Sequence, residues 1–409
     1  MIAGHVCFDV IPRFPEEVKP SIGDLFRPGK LVTVNEAMMS TGGPVANTGI
    51  SMKTLGNKIC FCAGIGDDNF GKLALEYLRK KGNAEGILVM QGTTSSYTIV
   101  IAPPNIDRIF FHHPGSNHYF GPENLDPGLL EQCRLFHFGY PPLMRRMYEG
   151  KGKELEQVFK LAKNSGLTTS CDMALPDPDS DSGRADWRAI LARVLPYVDI
   201  FLPSVEEALY LLEPKKFIAM KERHGNQELI DFFSPEDYSN IAARALKFGS
   251  RMVGLKSGHH GFYLRSASGE ALAALGAAKP KNLANWTERE LWCPAFSAAR
   301  VASATGAGDS SIAGFLTALL RGATVEKSLK IANCLGWQNL QELDAVSGIR
   351  SWEETLALLK KGLPIHELKI SSAGWKWHPD LTLWSGPGDR LLGSGGKHGS
   401  GRKQSKCVF

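Results

Sequence analysis

Five residues, Thr305-Gly306-Ala307-Gly308-Asp309, set a carboxylate beside a turn suited to binding an anion, at the entry to the apolar stretch 310–320. Two glycines around an alanine let consecutive backbone N–H groups converge on one phosphate oxygen. A helix starting there adds the positive end of its dipole at the same place. An acidic side chain fits such a site poorly unless it takes a proton from a group attacking the phosphate, which is the chemistry of phosphoryl transfer. The plainer account is that Asp309 caps a buried helix, a common use of Asp at that position, and the five residues alone lean that way.

Other glycine-rich runs hold further candidates. Gly42-Gly43-Pro44-Val45-Ala46-Asn47 opens a helix; paired glycines bring a ligand against backbone, and Asn47 offers donors and an acceptor to hydroxyl groups. That suits a sugar, although a turn and a helix start explain the run equally well. Gly66 to Lys72 has the glycine and lysine spacing of a P-loop, but Leu73 stands where a Ser or Thr would hold magnesium, and Asp67 and Asp68 would repel phosphates. No Gly-x-Gly-x-x-Gly follows a first strand, so a dinucleotide site has no support. Lys256-Ser257-Gly258-His259-His260-Gly261 follows a strand and could form a phosphate-side loop; Asn333 and the turn Asp344-Ala345-Val346-Ser347-Gly348 could surround a nucleotide base.

The elements that must position these residues alternate from 40 to 360. Short apolar runs predict strands over 58–63, 135–138, 167–171, 199–202 and 252–255. Amphipathic or apolar spacing predicts helices over 45–55, 70–81, 153–164, 187–195, 206–212, 235–248, 310–320 and 325–341. This is the rhythm of a parallel sheet covered by helices on both faces. Residues 10–40 and 93–113 read instead as hairpin strands, which would pair as a small sheet lying over the carboxyl ends of the central strands, where ligands bind in open α/β folds. Phe110 and Phe111 are expected to pack that sheet, and 213–234 and 275–292 to be surface insertions.

With 409 residues, 43% of them hydrophobic, the chain can bury a substantial core. No apolar run approaches the roughly 20 residues that span a bilayer, and Met1 to Asp9 reads as a first strand, so the expectation is a cytoplasmic protein with no membrane partner. The eight cysteines (Cys7, Cys60, Cys62, Cys133, Cys171, Cys293, Cys334 and Cys407) form no Cys-x-x-Cys pair and read as reduced core residues. The formal charge of +5 does not point to nucleic acid, because the residues from Ser371 onward hold six basic and two acidic side chains and leave the body nearly neutral. That segment also holds eight glycines, so 371–409 is expected to be a flexible tail on a domain spanning 1–370.

In order along the chain, Gly4…Asp9, Gly42-Gly43…Asn47, Gly64-x-Gly66-x-Asp68…Gly71, Pro114-Gly115-Ser116-Asn117, Ser204-x-x-Glu207, Lys256-x-Gly258-x-x-Gly261 and Thr305-Gly306-Ala307-Gly308-Asp309 resemble the ribokinase-like (PfkB-type) carbohydrate kinase family, across roughly residues 1–365. The resemblance implies a Rossmann-like three-layer α/β/α domain with a mainly parallel central sheet and a small β-sheet lid. It implies ATP-dependent phosphorylation of a sugar or related hydroxyl compound. Asp309 would be the base, in a turn with Gly306, where Ala307 and Gly308 supply anion-hole N–H groups. Asp9, Gly42, Gly43, Asn47 and Asn117 would hold substrate; Lys256, Gly258, Gly261, Thr305 and Asn333 would face the nucleotide; Glu207 would organise magnesium through water. Ser303-Ala304 stands where the family has Asp-Thr, which puts its monovalent-cation (K⁺) site in doubt, and Ser204 replaces an Asn, so activity could be weakened. A nucleoside or other small-alcohol kinase, or a non-catalytic binding member, is the alternative. Strands projecting from a main domain can pair between subunits, so a homodimer through the lid is a further expectation.

Overall fold

Helices begin where the sequence supplies caps. Asp68 accepts from the Gly71 N–H ahead of Asn69–Lys81, Ser204 from Glu207 ahead of Val205–Leu212, Ser234 from Asp237 ahead of Pro235–Lys247, and Thr324 from Lys327 ahead of Val325–Asn339. The P-loop-like run thus ends in a helix cap, with Asp68 also accepting from the N–H and hydroxyl of Ser95. Helices Pro44–Thr54, Trp187–Val194 and Ala307–Leu320 likewise lie where the apolar spacing put them. Arg145–Asn164 starts earlier than expected and is broken at Glu149 to Gly152, where Gly150, Lys151 and Gly152 take positive φ.

The computed structural model describes residues 1–15, 22–103, 109–225 and 227–393. In chain order its strands are β1 (Ile2–Gly4), β2 (Cys7–Arg13), β3 (Asn35–Gly42), β4 (Cys60–Gly66), β5 (Asn83–Met90), β6 (Tyr97–Ile101), β7 (Ile109–His113) and β8 (Leu135–Gly139). They continue as β9 (Thr168–Cys171), β10 (Ile200–Phe201), β11 (Met252–Lys256), β12 (Phe262–Ser266), β13 (Glu290–Cys293), β14 (Lys376–His378) and β15 (Leu383–Ser385).

Among the described residues, one sheet runs in the order β14-β15-β13-β12-β11-β10-β9-β8-β1-β4-β5. It is parallel from β5 to β11 and antiparallel beyond. Strands β8, β9 and β10 are buried along their whole length, as both-face coverage requires. From β1 the chain steps outward through β4 to β5, then returns to β8 on the other side of β1. That reversal opens a crevice at the carboxyl ends of β1 and β8, the place where open α/β sheets bind ligands.

A second sheet, in the order β3-β2-β6-β7, is the expected lid. It grows directly from β1 through His5 and Val6, and Phe8 to Val10 of β2 pair with Thr41 to Met39 of β3 and with Tyr97 to Ile99 of β6. The parts of the expected lid at 16–21 and 104–108 lie outside the described residues. Phe110 and Phe111 are not buried in the sheet; both are about half exposed on the edge strand β7, pointing to opposite faces, Phe110 toward the cavity and Phe111 against Phe26.

Three expectations need correction. Residues 213–234 are not a surface excursion throughout: helix Pro214–His224 buries Phe217, and the following turn buries Leu229 and Ile230. Residues 275–292 bury Trp286 and Leu291 and lead into β13, which joins the main sheet. The segment after 370 is ordered as far as 393, where β15 pairs with β13 and β14 with β15. Trp377, Leu383 and Trp384 supply apolar surface that the glycine-rich average conceals, and residues 394–409 lie outside the described residues.

The anchor of this segment is ionic. Arg289, fully buried, donates to Asp389 at 2.9 Å, to Glu326 at 2.7 Å and to the Asn285 carbonyl at 2.7 Å. Asp389 also accepts from the backbone N–H groups of Glu290, Leu391 and Leu392. Removing one member of a buried ionic cluster leaves an uncompensated charge. Asp389→Ala is therefore expected to cost about 3 kcal/mol, read as a lower urea midpoint with an unchanged m-value; a loss below about 0.5 kcal/mol, the size of a surface substitution, would dismiss the anchor.

Candidate active site

Gly306 carries φ +78°, and a Cβ there would fall 2.4 Å from the Cβ of Ala345, so the turn that admits the helix Ala307–Leu320 needs glycine on both counts. The turn puts Asp309 in the first helical turn without using it as a cap. Its carboxylate, 2% exposed, instead accepts from Asn47 Nδ2 at 2.9 Å and Tyr140 Oη at 3.1 Å on Oδ2, and from Thr48 Oγ1 at 3.4 Å on Oδ1. Asn47 and Thr48 lie on the helix Pro44–Thr54, buried from Pro44 to Met52 and packed against Ala307–Leu320. Tyr140 follows β8 with φ +62°, a left-handed conformation that a non-glycine residue adopts at a cost of roughly 1–2 kcal/mol. That strain aims its hydroxyl at Asp309. Oδ1 keeps a lone pair for a further donor.

Burial pushes the Asp309 carboxyl above the ordinary carboxylate range, against the hydrogen bonds of Asn47, Tyr140 and Thr48 and the charge of Lys256. Behind it lies a buried polar cluster. Lys256 Nζ stands 2.5 Å from Asp172 Oδ1, and the same ammonium feels Glu207 and Asp309. Burial alone would lower Lys256; those three carboxylates outweigh it and hold the lysine above its usual value. Burial likewise raises Asp172 and Glu207, so this pocket of charge holds protons more tightly than water would.

A cavity of about 1400 Å³ opens over Asp309. The lid contributes Cys7, Asp9, Ser40, Thr41, Thr98 and His112; the main domain contributes His5, Gly43, Asn47, Tyr140 and Asp309; 301–306 and 343–345 close another wall. Asp9 is half-buried, accepts from Cys7 Sγ at 3.1 Å, and has its carboxyl raised by burial. Gly42 lies where a Cβ would sit 2.2 Å from the Asp9 carboxylate. Gly43 carries φ +80°, and a Cβ there would come within 2.7 Å of His5 Nδ1. Four buried polar atoms on this wall have no hydrogen-bond partner: both ring nitrogens of His5, Thr41 Oγ1 and Asn47 Oδ1. Buried polar atoms without partners are costly, so their convergence on one cavity points to a polar ligand. Burial, with His112 and His118 nearby, keeps His5 neutral.

Other predicted residues do different work. Asn117, expected to bind substrate, is saturated by Val6: its Oδ1 accepts from the Val6 N–H at 3.2 Å and its Nδ2 donates to the Val6 carbonyl at 2.8 Å. It fixes the chain between β1 and β2 and does not line the cavity. Asn333, expected at the nucleotide, gives its amide protons to the carbonyls of Cys293 and Pro294, each at 2.9 Å, and fastens a helix to the end of β13. Lys256 is spent on Asp172, beside Gly308, instead of standing free in a loop. Gly258 and Gly261 bracket a tight turn after β11, and Thr305 lines the cavity. The Ala307 N–H reaches the Ala304 carbonyl at 3.3 Å, a long contact, while Gly308 occupies the second helical position, where helix geometry leaves an N–H without an intrahelical partner. Glu207 closes a capping box, accepting from the Ser204 N–H at 2.7 Å. His5, Thr48, Tyr140 and Asp172 were not foreseen. Thr48 could have been, as the neighbour of Asn47 on a motif helix.

Comparisons with known proteins bear on family and fold. The family model described as pfkB family carbohydrate kinase matches residues 4–352. Probable fructokinase-3 of Arabidopsis thaliana is 27% identical over 199 residues, covering 47% of this chain and 56% of that protein. The fructokinase of Solanum tuberosum is 29% identical over 144 residues, 34% of this chain and 44% of that one. The chain thus spans about half the length of the curated relatives it matches. Among solved structures, Arabidopsis thaliana ribokinase complexed with ribose and ATP superposes with a TM-score of 0.63 at 19% identity, over 88% of this chain and 97% of that chain. Xylella fastidiosa fructokinase with bound ATP gives 0.63 at 14% identity, over 88% and 98%. At these identities the likeness is one of fold.

A carboxyl raised by folding makes the native state bind more protons than the unfolded chain, between the ordinary carboxylate value and the raised one. Its stabilising contribution is full below that window and lost as pH rises through it. Asp309→Asn also relieves three carboxylates sharing one ammonium. It is expected to stabilise the protein at neutral pH by on the order of 1 kcal/mol, with the gap to wild type closing near about pH 4. Thermal melts across pH check this, and a variant less stable at neutral pH would contradict the raised proton affinity.

Proposed function

The chain belongs to the pfkB family of carbohydrate kinases, and from that premise we propose that it transfers the γ-phosphoryl group of Mg-ATP to a hydroxyl of a small carbohydrate, with Asp309 as the base. The observation that carries this reading is a buried carboxylate at the amino end of a helix, held by three donors and facing a large lidded cavity. Asp309 Oδ1 takes the proton of the acceptor hydroxyl as the new O–P bond forms and the bond to the ADP oxygen breaks. The Gly308 N–H and the helix dipole stabilise charge on the moving phosphoryl group. Lys256 balances the carboxylates behind it. The lid excludes water, so that the acceptor and not water receives the phosphoryl group.

The unpaired atoms of His5, Thr41 and Asn47 supply donors and acceptors without a fixed charge, which suits a polyhydroxylated, uncharged acceptor. Asp9 adds hydrogen-bond acceptors on the lid side. Magnesium fits the donor set: Asp172 Oδ2 is buried without a partner, and the carboxylates of Asp172, Glu207 and Asp309 exceed the one ammonium among them. Glu207 and Asp172 would hold the ion through water, supplying charge neutralisation at the phosphates. For potassium there is less support, since the 303–304 position has no carboxylate and Ser303 Oγ accepts the Thr305 N–H at 3.1 Å. A homodimer through the lid is supported by the exposed Met39 and Phe111, which share the face of the lid turned away from the cavity, and a cytoplasmic setting by free cysteines and by the lack, among the described residues, of any helix long and apolar enough to cross a membrane.

The reading is tested by acceptor-dependent ADP release from the purified chain over ketohexoses, pentoses, aldonates such as 2-keto-3-deoxygluconate, and nucleosides, with and without potassium. Turnover of a neutral sugar supports it, turnover of nucleosides alone favours the rival kinase, and binding of acceptor and ATP without ADP formation favours a non-catalytic member. With an acceptor in hand, Tyr140→Phe removes a donor that lowers the proton affinity of Asp309. The acid limb of the kcat profile is expected to move to higher pH, with turnover at neutral pH roughly tenfold lower; an unmoved limb would separate Tyr140 from the base.

A further inference from the structure

Away from the cavity, the turn after β11 brings together side chains that the proposed reaction does not use. Its two histidines face the turn Leu229–Phe232: His259 Nε2 stands 2.8 Å from Asp231 Oδ1, and His260 Nε2 stands 3.5 Å from the same oxygen. The two imidazole rings meet edge to face with centroids 4.3 Å apart, and a third imidazole, His366, lies 5.4 Å from that of His259. One carboxylate–imidazole hydrogen bond accounts for His259. It does not account for a second imidazole aimed at the same oxygen from too far to bond well.

We propose that Asp231, His259 and His260 form a binding site for a borderline divalent metal ion such as Zn²⁺. Ligands about 2.0–2.1 Å from zinc in a tetrahedral arrangement lie roughly 3.4 Å from one another. The contacts of 2.8 and 3.5 Å bracket that spacing, and the ligand atoms of all three residues lie within 4.8 Å of one another. Two imidazoles and one carboxylate favour zinc, nickel or cobalt over magnesium or calcium, which prefer oxygen ligands. His366 is placed to become a fourth ligand by a change of rotamer, or water fills that position.

Both turns are held by other contacts, so the ion would meet a formed site. The Trp292 indole donates to the His260 carbonyl at 3.0 Å, the Ser257 N–H bonds the Gly261 carbonyl at 2.8 Å, and Leu229 and Ile230 are buried beside Asp231. The side chains themselves are partly exposed, 36% for His259, 21% for His260 and 53% for Asp231, which gives an ion a way in. Bound metal would tie the turn after β11, on the loop beside the candidate site, to the segment at 229–232.

The test uses the untagged full chain, stripped by chelation and titrated with Zn²⁺ and with Co²⁺ at neutral pH. Expected are one equivalent of metal, visible cobalt d–d absorption without a thiolate charge-transfer band, and a zinc-dependent rise in melting temperature. Asp231→Asn and the double substitution His259→Gln with His260→Gln should each weaken zinc binding at least tenfold while melting like wild type in chelator. The proposal is overturned by the lack of stoichiometric uptake, by uptake that the double substitution leaves unchanged, or by a thiolate band showing that cysteines hold the metal. Should the double variant melt lower in chelator, Asp231→Asn alone decides by the same titration.

Discussion

A carboxylate buried to 2% exposure has to be satisfied by the surrounding fold or it unfolds it, and the architecture around Asp309 follows from that demand. Its donors come from distant parts of the chain: Asn47 and Thr48 from the helix that follows the lid strands, Tyr140 from the end of β8. The helices Pro44–Thr54 and Ala307–Leu320 must therefore pack side by side. They are locked at their far ends as well, where Asn57 donates to Thr317 at 2.8 Å and Arg321 to the Leu55 carbonyl at 2.7 Å. Reversal of strand order between β1 and β8 then brings Tyr140 to the same point.

The site departs from good folding practice in ways that ligands would repair. Tyr140 is held in a left-handed conformation, three carboxylates share one ammonium, and His5, Thr41 and Asn47 keep buried polar atoms without partners. Each lowers stability, and each lies at or just behind one cavity. Elsewhere Arg289 meets both Asp389 and Glu326, although its Nη2, like Tyr238 Oη and Asn339 Oδ1, is buried without a partner. What sets the cavity apart is that strain, excess negative charge and unpartnered polar atoms converge there, and such convergence marks a place kept for function.

Much of this was legible in the chain. Periodic apolar spacing and cap residues located the main helices and the parallel strands, and the glycine motifs located Asp309 and Asn47, because a turn that needs glycine leaves a mark in sequence. Tyr140, His5 and Asp172 leave none: each follows a strand, and only the order of strands brings them together. Asn117 and Asn333 show the opposite failure. An amide in a motif reads alike whether it faces a cavity or a backbone carbonyl, and both here face backbone. Strand β15 and the Asp389 anchor were hidden because glycines and lysines further along diluted the few apolar residues that hold that segment to the sheet.

The central claim is that Asp309, the carboxylate on which Asn47, Thr48 and Tyr140 converge, serves as the proton acceptor. The most direct measurement compares Asp309→Asn with wild type for acceptor-dependent ADP formation and, on the same samples, for ATP affinity by calorimetry. The account predicts a kcat lower by at least roughly a thousandfold, from loss of the base and of its alignment, with the dissociation constant for ATP within about threefold of wild type. Turnover within tenfold of wild type would contradict it.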